Sequence, residues 1–222
     1  MPKGFFITGT DTEIGKTTIS LGLIAALQNA NHTVSTMKPI ASGCEMINGE
    51  LRNDDALKLI KACHQNLHYK DVNPYAFEPP IAPHIAAEQA GININIPTIC
   101  KLADTHKANS DYCIIEGVGG WQVPLNETET VEDLALALNL PVILVVGLRL
   151  GCINHALLTT KAIQDSGLIL AGWVANHCHM NSENADEMIE TLKQRINTPC
   201  LATVNYMEQI EKTLDIAKLT EP

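Results

Sequence analysis

Residues 4–18 constrain this chain more than any other stretch. The apolar run Gly4-Phe5-Phe6-Ile7 leads into Thr8-Gly9-Thr10-Asp11-Thr12-Glu13-Ile14-Gly15, and Lys16-Thr17-Thr18 then opens an apolar helical pattern. A strand, a loop of small and polar residues ending in Gly-Lys-Thr, and a helix form the grammar of a phosphate-binding P-loop. The glycines let backbone amides turn toward one point, Lys16 adds a mobile positive charge, and the Thr17 hydroxyl can hold Mg²⁺. The helix aims its free N-terminal amides and its dipole at the same anion. The common spacing G-x-x-x-x-G-K-[ST] would need glycine at position 10, where this chain has Thr10. Counted from Gly9, the loop is one residue longer. The stretch predicts a nucleoside triphosphate site.

With 222 residues the chain suits one α/β domain over 1–222, large enough to bury a substantial core. Hydrophobic residues make up 45% and charged residues 18%, the balance of a globular protein. A net charge of −10 argues against broad nucleic-acid binding, which needs a basic surface. Seven scattered cysteines, an odd count without a C-x-x-C pair, and no secretory signal read as reduced thiols of a cytoplasmic protein. His177-Cys178-His179 lacks the usual zinc spacing. No apolar run reaches the roughly 18 residues of a membrane span.

Strand and helix patterns alternate along the chain. Strands are expected at 4–9, 33–37, 112–116, 141–147, 168–175 and 201–204. Helices are expected at 17–29, from Asn53 or Asp54, at 84–90 before Gly91, at 97–109, 131–138, 153–165 and 182–195, and at the C-terminus. Residues 73–84 hold too many prolines for a regular element, and 42–49 reads as loop. The alternation implies a mostly parallel sheet with helices on both faces, whose ligands bind at the carboxyl ends of the strands.

Several polar residues fall on that rim. Lys38 precedes Pro39 and ends a strand, reading alone as a solvated strand end. Ser42 follows in the next loop. Asp55 reads either as a helix cap or as a rim carboxylate. Glu116 ends an apolar strand and runs into Gly117-Val118-Gly119-Gly120, which lets backbone approach a ligand closely; it is a metal ligand or a surface strand end. Asn176 follows the strand at 168–175.

Thr8 to Thr17, Lys38-Pro39-Ile40-Ala41-Ser42-Gly43, Leu51 to Ala56, Val72 to Tyr75, Pro83-His84, Glu116 to Trp121, Leu150 to Asn154 and Trp173 to Asn176 closely resemble dethiobiotin synthetase. The segments run in order over most of the chain, and the longer loop with its internal Glu13 is itself typical of that family. The resemblance implies a P-loop fold and ATP-dependent closure of a cyclic urea from 7,8-diaminononanoate and CO2 or bicarbonate, with Mg²⁺. It implies that Lys16 and the loop from Glu13 through Ile14, Gly15 and Thr17 to Thr18 hold phosphates. Thr17, Asp55 and Glu116 would hold Mg²⁺, and Gly117, Val118 and Gly119 would line the nucleotide side. Lys38 would be catalytic together with Lys16, and Thr12, Lys38 and Ser42 would meet substrate. Gly151, Cys152, Ile153 and Asn154 would hold the carboxylate of substrate bound by the other subunit of a homodimer, and Asn176 would meet adenine. Where the family commonly has Ile-Pro after the last strand, this chain reads Thr203-Val204-Asn205-Tyr206. Related switch ATPases carry a signature lysine five residues before the P-loop lysine, the position held here by Asp11.

Overall fold

The computed structural model describes residues 4–178 and 184–206 together with Leu214 and Leu219. Six strands form one parallel sheet: β1 (Gly4–Gly9), β2 (Val34–Met37), β7 (Tyr112–Glu116), β8 (Val142–Gly147), β9 (Leu170–Asn176) and β10 (Cys200–Val204), in the order β10-β9-β8-β1-β7-β2. β1 lies between β7 and β8, with Phe6 opposite both Ile115 and Val142. The strand that carries the P-loop is thus flanked on both sides.

Both faces of the sheet are buried, and side-chain alternation sorts the aliphatics between two cores. Phe5, Ile7, Ile114, Ile143, Val145 and Val174 pack on one side with Ile19, Leu23, Ile24 and Leu27 of α1 (Lys16–Asn29) and Leu59 of α2 (Asp54–Ala62). Phe6, Ile115, Leu144, Val146 and Trp173 face the other side. There they meet α4 (Pro83–Ala90), α5 (Ile96–Ala108), α6 (Val131–Leu138), α7 (Cys152–Asp165) and α8 (Ala185–Arg195). Leu214 and Leu219 join the α1 side.

Local chemistry sets the ends of these helices. Asn53 caps α2 by accepting from the Ala56 amide at 3.1 Å, Asn95 caps α5 by accepting from the Thr98 amide at 2.9 Å, and Thr130 and Asp133 form a capping box on α6. Gly91 ends α4, as its position after Ala90 predicts. The helix expected over 182–195 is described from Ala185 onward. Residues 182 and 183, His179 and most of the expected C-terminal helix lie outside the described residues.

Five short elements depart from the sequence reading. The loop expected around 42–49 contains a hairpin, β4 (Glu45–Ile47) with β5 (Glu50–Arg52), turned by Asn48 and Gly49 at φ 51° and 80°. Asn-Gly with both residues at positive φ is a strong hairpin signal, but each strand is three residues long, too short to show a period of its own. A single turn, α3 (Tyr69–Val72), follows α2. The proline-rich stretch at 73–84 holds β6 (Tyr75–Ala76), which pairs in parallel with β3 (Ile40–Ala41). Two-residue ladders leave no periodicity to read; their tertiary partners define them.

Candidate active site

The P-loop is built on backbone geometry. Gly15, the residue before α1, sits at φ 88° and ψ 25°, where a Cβ would be strained and would also meet the Asn176 amide. Glu13 shares positive φ at 58°. Between them Ile14 turns inward and is buried among the strand ends. A Cβ on Gly9 would stand 2.5 Å from Ile14 Cδ1, and one on Gly147 2.6 Å from Ile14 Cγ2. Ile14 is thus an apolar plug in the floor of the loop. The Lys16 ammonium donates to the Asp11 carbonyl at 2.6 Å. Burial, with Lys38 nearby, pushes its pKa down to about 8.

A second cluster stands beside the loop. Lys38, at the end of β2 and 5% exposed, donates from Nζ to Glu116 Oε1 at 2.6 Å and to the Gly117 carbonyl at 3.1 Å. Its Nζ is 3.8 Å from Asp55 Oδ2. The same Glu116 Oε1 accepts from Thr17 Oγ1 at 2.9 Å, so one carboxylate oxygen joins the loop helix to the β2 lysine. Glu116 is 1% exposed, and its other oxygen, Oε2, is buried without a protein partner. An orphaned carboxylate oxygen is costly unless something completes it. With Thr17 Oγ1 and the Asp55 carboxylate it forms an all-oxygen donor set that suits Mg²⁺ shared with phosphates. Among the described residues no group of three His, Cys, Asp or Glu could hold a metal by itself. Two carboxylates and a hydroxyl are the level of support a substrate-shared Mg²⁺ needs.

Side chains beyond those expected from sequence hold this cluster in place. Asn73 donates to the Lys38 carbonyl at 2.6 Å, and its Oδ1 accepts from the Tyr69 hydroxyl at 2.7 Å. The Asn53 amide, at the start of the helix that carries Asp55, donates to that hydroxyl at 2.7 Å, and the Arg52 guanidinium lies 4.0 Å over the Tyr69 ring. The motif Asn73-Pro74-Tyr75 marked this segment without showing that Asn73 reaches back to Lys38.

The loop and the cluster share a cleft of about 990 Å³, lined also by Pro80, Ile81, Ala82 and Pro83. Of the residues expected at the site, Thr12, Glu13, Gly15, Lys16, Thr17, Thr18, Lys38, Ser42, Asp55, Glu116, Val118 and Gly119 line it. Ser42 Oγ is buried there without a partner. Ile14 lies beneath the loop, and Gly117 contributes its carbonyl to Lys38. Asn176 stands behind the P-loop, where its Nδ2 donates to the Ile14 carbonyl at 2.8 Å.

Gly151, Cys152, Ile153 and Asn154 do not line the cleft; they open α7, past Leu150, which is 94% exposed. Their loop is tied to the P-loop by an ion pair between Arg149 and Asp11. No helix among the described residues is long and apolar enough to cross a membrane. All seven cysteines are free.

Known proteins resemble the chain at two depths. Its fold matches the ParA family ATPase of Chlorobium tepidum, with a TM-score of 0.58, 14% identity, and 98% of this chain and 99% of that one covered. It also matches the MinD cell division protein of Aquifex aeolicus, at 0.58 and 14% over 99% and 89%. At that identity the likeness is one of P-loop NTPase fold alone. The AAA domain family model matches residues 3–213. The ATP-dependent dethiobiotin synthetase BioD of Pseudomonas paraeruginosa is 50% identical over 201 residues, covering 90% of this chain and 88% of that protein. The protein of the same name from Aromatoleum aromaticum is 43% identical over 221 residues, covering 100% and 98%. With identity this high over nearly the whole length, the chain belongs to the ATP-dependent dethiobiotin synthetase family.

Proposed function

We propose that this chain is an ATP-dependent cyclo-ligase that closes the ureido ring of dethiobiotin from 7,8-diaminononanoate and CO2, releasing ADP and phosphate. Family membership supports the overall reaction. One observation carries the assignment of roles: Thr17 of the phosphate loop and Lys38, just past β2, meet on the same Glu116 oxygen, inside one cleft.

The chemistry needs positioning and charge neutralisation more than covalent help. One amine of the diamine adds to CO2 and loses a proton, giving a carbamate. Its oxygen attacks the γ-phosphorus of ATP, the bond to the β-phosphate oxygen breaks, and ADP leaves. The neighbouring amine then attacks the carbamoyl carbon, the C–O bond to phosphate breaks, and the ring closes with loss of a proton. The loop amides from Glu13 to Thr18 and the Lys16 ammonium hold the phosphates. Lys38 is the charge beside the transferring group, held there by Glu116 and the Gly117 carbonyl. Thr12 and Ser42 face the substrate side, and Pro80 to Pro83 restrict access of water. Thr17, Asp55 and the free Glu116 oxygen would hold Mg²⁺, which when bound neutralises charge on the β- and γ-phosphate oxygens.

On this reading residues 1–222 act as one domain in a homodimer. The amides of Gly151, Ile153 and Asn154 at the start of α7 then meet the carboxylate of substrate in the partner's cleft, while the Cys152 amide donates to the Arg149 carbonyl at 2.9 Å. Asn176 offers the remaining edge of its amide to the adenine. The deciding measurement is phosphate release and ring product from ATP, Mg²⁺, bicarbonate and diaminononanoate. Turnover that requires the diamine is expected, whereas ATP hydrolysis indifferent to it would overturn the reading.

A further inference from the structure

Asn176 ends β9, two strands from the P-loop strand, and is 7% exposed. Its Nδ2 lies 2.8 Å from the Ile14 carbonyl oxygen, a bond between residues 162 positions apart. The partner is a carbonyl, which only accepts, so the amide must present its NH₂ to the loop. The same group fills the space that a Cβ on Gly15 would need. Ile14 itself is clamped, its side chain wedged against Gly9 and Gly147 at the ends of β1 and β8.

The peptide between Ile14 and Gly15 is therefore held from both sides, by an apolar plug below and an amide behind. It is the peptide that leads into the first amides of α1, and Ile14 lies between two residues at positive φ, Glu13 and Gly15. Backbone at positive φ on a non-glycine residue persists only where surrounding contacts over-determine it. A loop one residue longer than the common P-loop has an added residue whose conformation must be fixed. Here the fixing contacts come from the Asn176 amide and from the packing of the Ile14 side chain.

We propose that Asn176 is a positioning residue for the phosphate loop: its amide, with the Ile14 plug, fixes the long loop in its phosphate-binding geometry independently of any contact with the base. The inference rests on the assignment of residues 9–18 as the phosphate site. In this arrangement Asn176 couples the two ends of the nucleotide. One donor hydrogen shapes the triphosphate cradle, and the rest of the amide stays available to the base.

Inorganic tripolyphosphate separates the two roles, because it has phosphates and no base. Its affinity and that of ATP are to be measured by calorimetry, with Mg²⁺, for the unaltered protein, Asn176→Ala and Asn176→Ser, whose shorter hydroxyl does not span to Ile14. The melting midpoint of each ligand-free protein is recorded alongside. The expected result is a loss of about tenfold for tripolyphosphate as well as for ATP in both variants. Weakened ATP with unchanged tripolyphosphate would mean a base contact only and would overturn the inference. So would a lowered midpoint with unchanged tripolyphosphate affinity, the mark of a merely structural role. If the unaltered protein binds neither ligand, the phosphate-site assignment fails first and takes the inference with it. Either variant suffices should the other not fold.

Discussion

The two halves of the cleft are built on different principles. The nucleotide half is one contiguous segment, Gly9 to Thr18, whose geometry is mostly backbone: positive φ at Glu13 and Gly15, amides at the start of α1, and an apolar plug in the floor. The acceptor half is assembled from Lys38, Asp55, Tyr69, Asn73 and Glu116, carried by four separate stretches of chain and tied by short hydrogen bonds. The first half leans on its floor and on one distant side chain, Asn176, behind the loop. The second depends on its partners, because Lys38, Asn73 and Glu116 are buried and hydrogen-bonded to one another or to Tyr69. Glu116 belongs to both.

The sharpest way to break the comparison is Lys38→Ala. Loss of a preorganised charge at the transferring group should lower kcat about 10²–10³-fold. ATP affinity should move far less, since the loop stays in place. Steady-state kinetics at saturating diamine would check this, and unchanged kcat would remove Lys38 from its role. Glu116→Ala should strike both halves, leaving a buried lysine with Asp55 at 3.8 Å as its remaining carboxylate. Breaking a buried pair costs about 3 kcal/mol or more, read as a shift in the urea unfolding curve. The same variant should demand more Mg²⁺ for half-maximal turnover.

A gentler probe is pH. Lys16 has a folded-state pKa of about 8 against an ordinary 10.5, so it is charged below that value and neutral in the fold above it. ATP affinity should therefore fall as pH rises through about 8. Stability should move the other way. The unfolded chain binds the extra proton between about 8 and 10.5, so the penalty of burying the charge is relieved as pH rises across that window. Titration calorimetry and melting curves from pH 7 to 9.5 would show whether the two trends diverge.

Asn73→Ala removes the donor to the Lys38 carbonyl and the acceptor of the Tyr69 hydroxyl. It should cost about 1–2 kcal/mol of stability and lower kcat more than it raises the KM for ATP. An equal effect on both parameters would mean that the acceptor half is not a separate unit. At the small end, Lys58 lines the cleft but pairs with Asp54 on an exposed helix face. Lys58→Ala should change stability by about 0.5 kcal/mol or less, and a large loss of turnover would enlarge the acceptor half by one residue.

Much of this was legible beforehand where the signal is local. The run from Gly4 to Thr18 reads as strand, loop and helix because period, glycine placement and Gly-Lys-Thr agree. The buried strands read from unbroken aliphatics such as Val142 to Val146, and the family was readable from motifs spread over the chain. The misses are the short elements whose existence depends on partners. β3 and β6 are two residues each, and 73–84 looks irregular until Tyr75 and Ala76 find Ile40 and Ala41. Read alone, Lys38 is a solvated strand end. In the fold it is buried against a carboxylate 78 residues away.

What the amino-acid order determined unaided is the parallel α/β frame, the phosphate loop and the family, since all three rest on short-range patterns and on glycine's freedom at positive φ. What only the tertiary structure decided is which polar side chains meet. It brought Thr17 and Lys38 to one oxygen of Glu116, joined Asn73 to the back of Lys38, and set Asn176 against the Ile14 carbonyl. The reason is physical. Buried polar groups must be paired, and which partner is in reach depends on how strands far apart in the chain are ordered in the sheet.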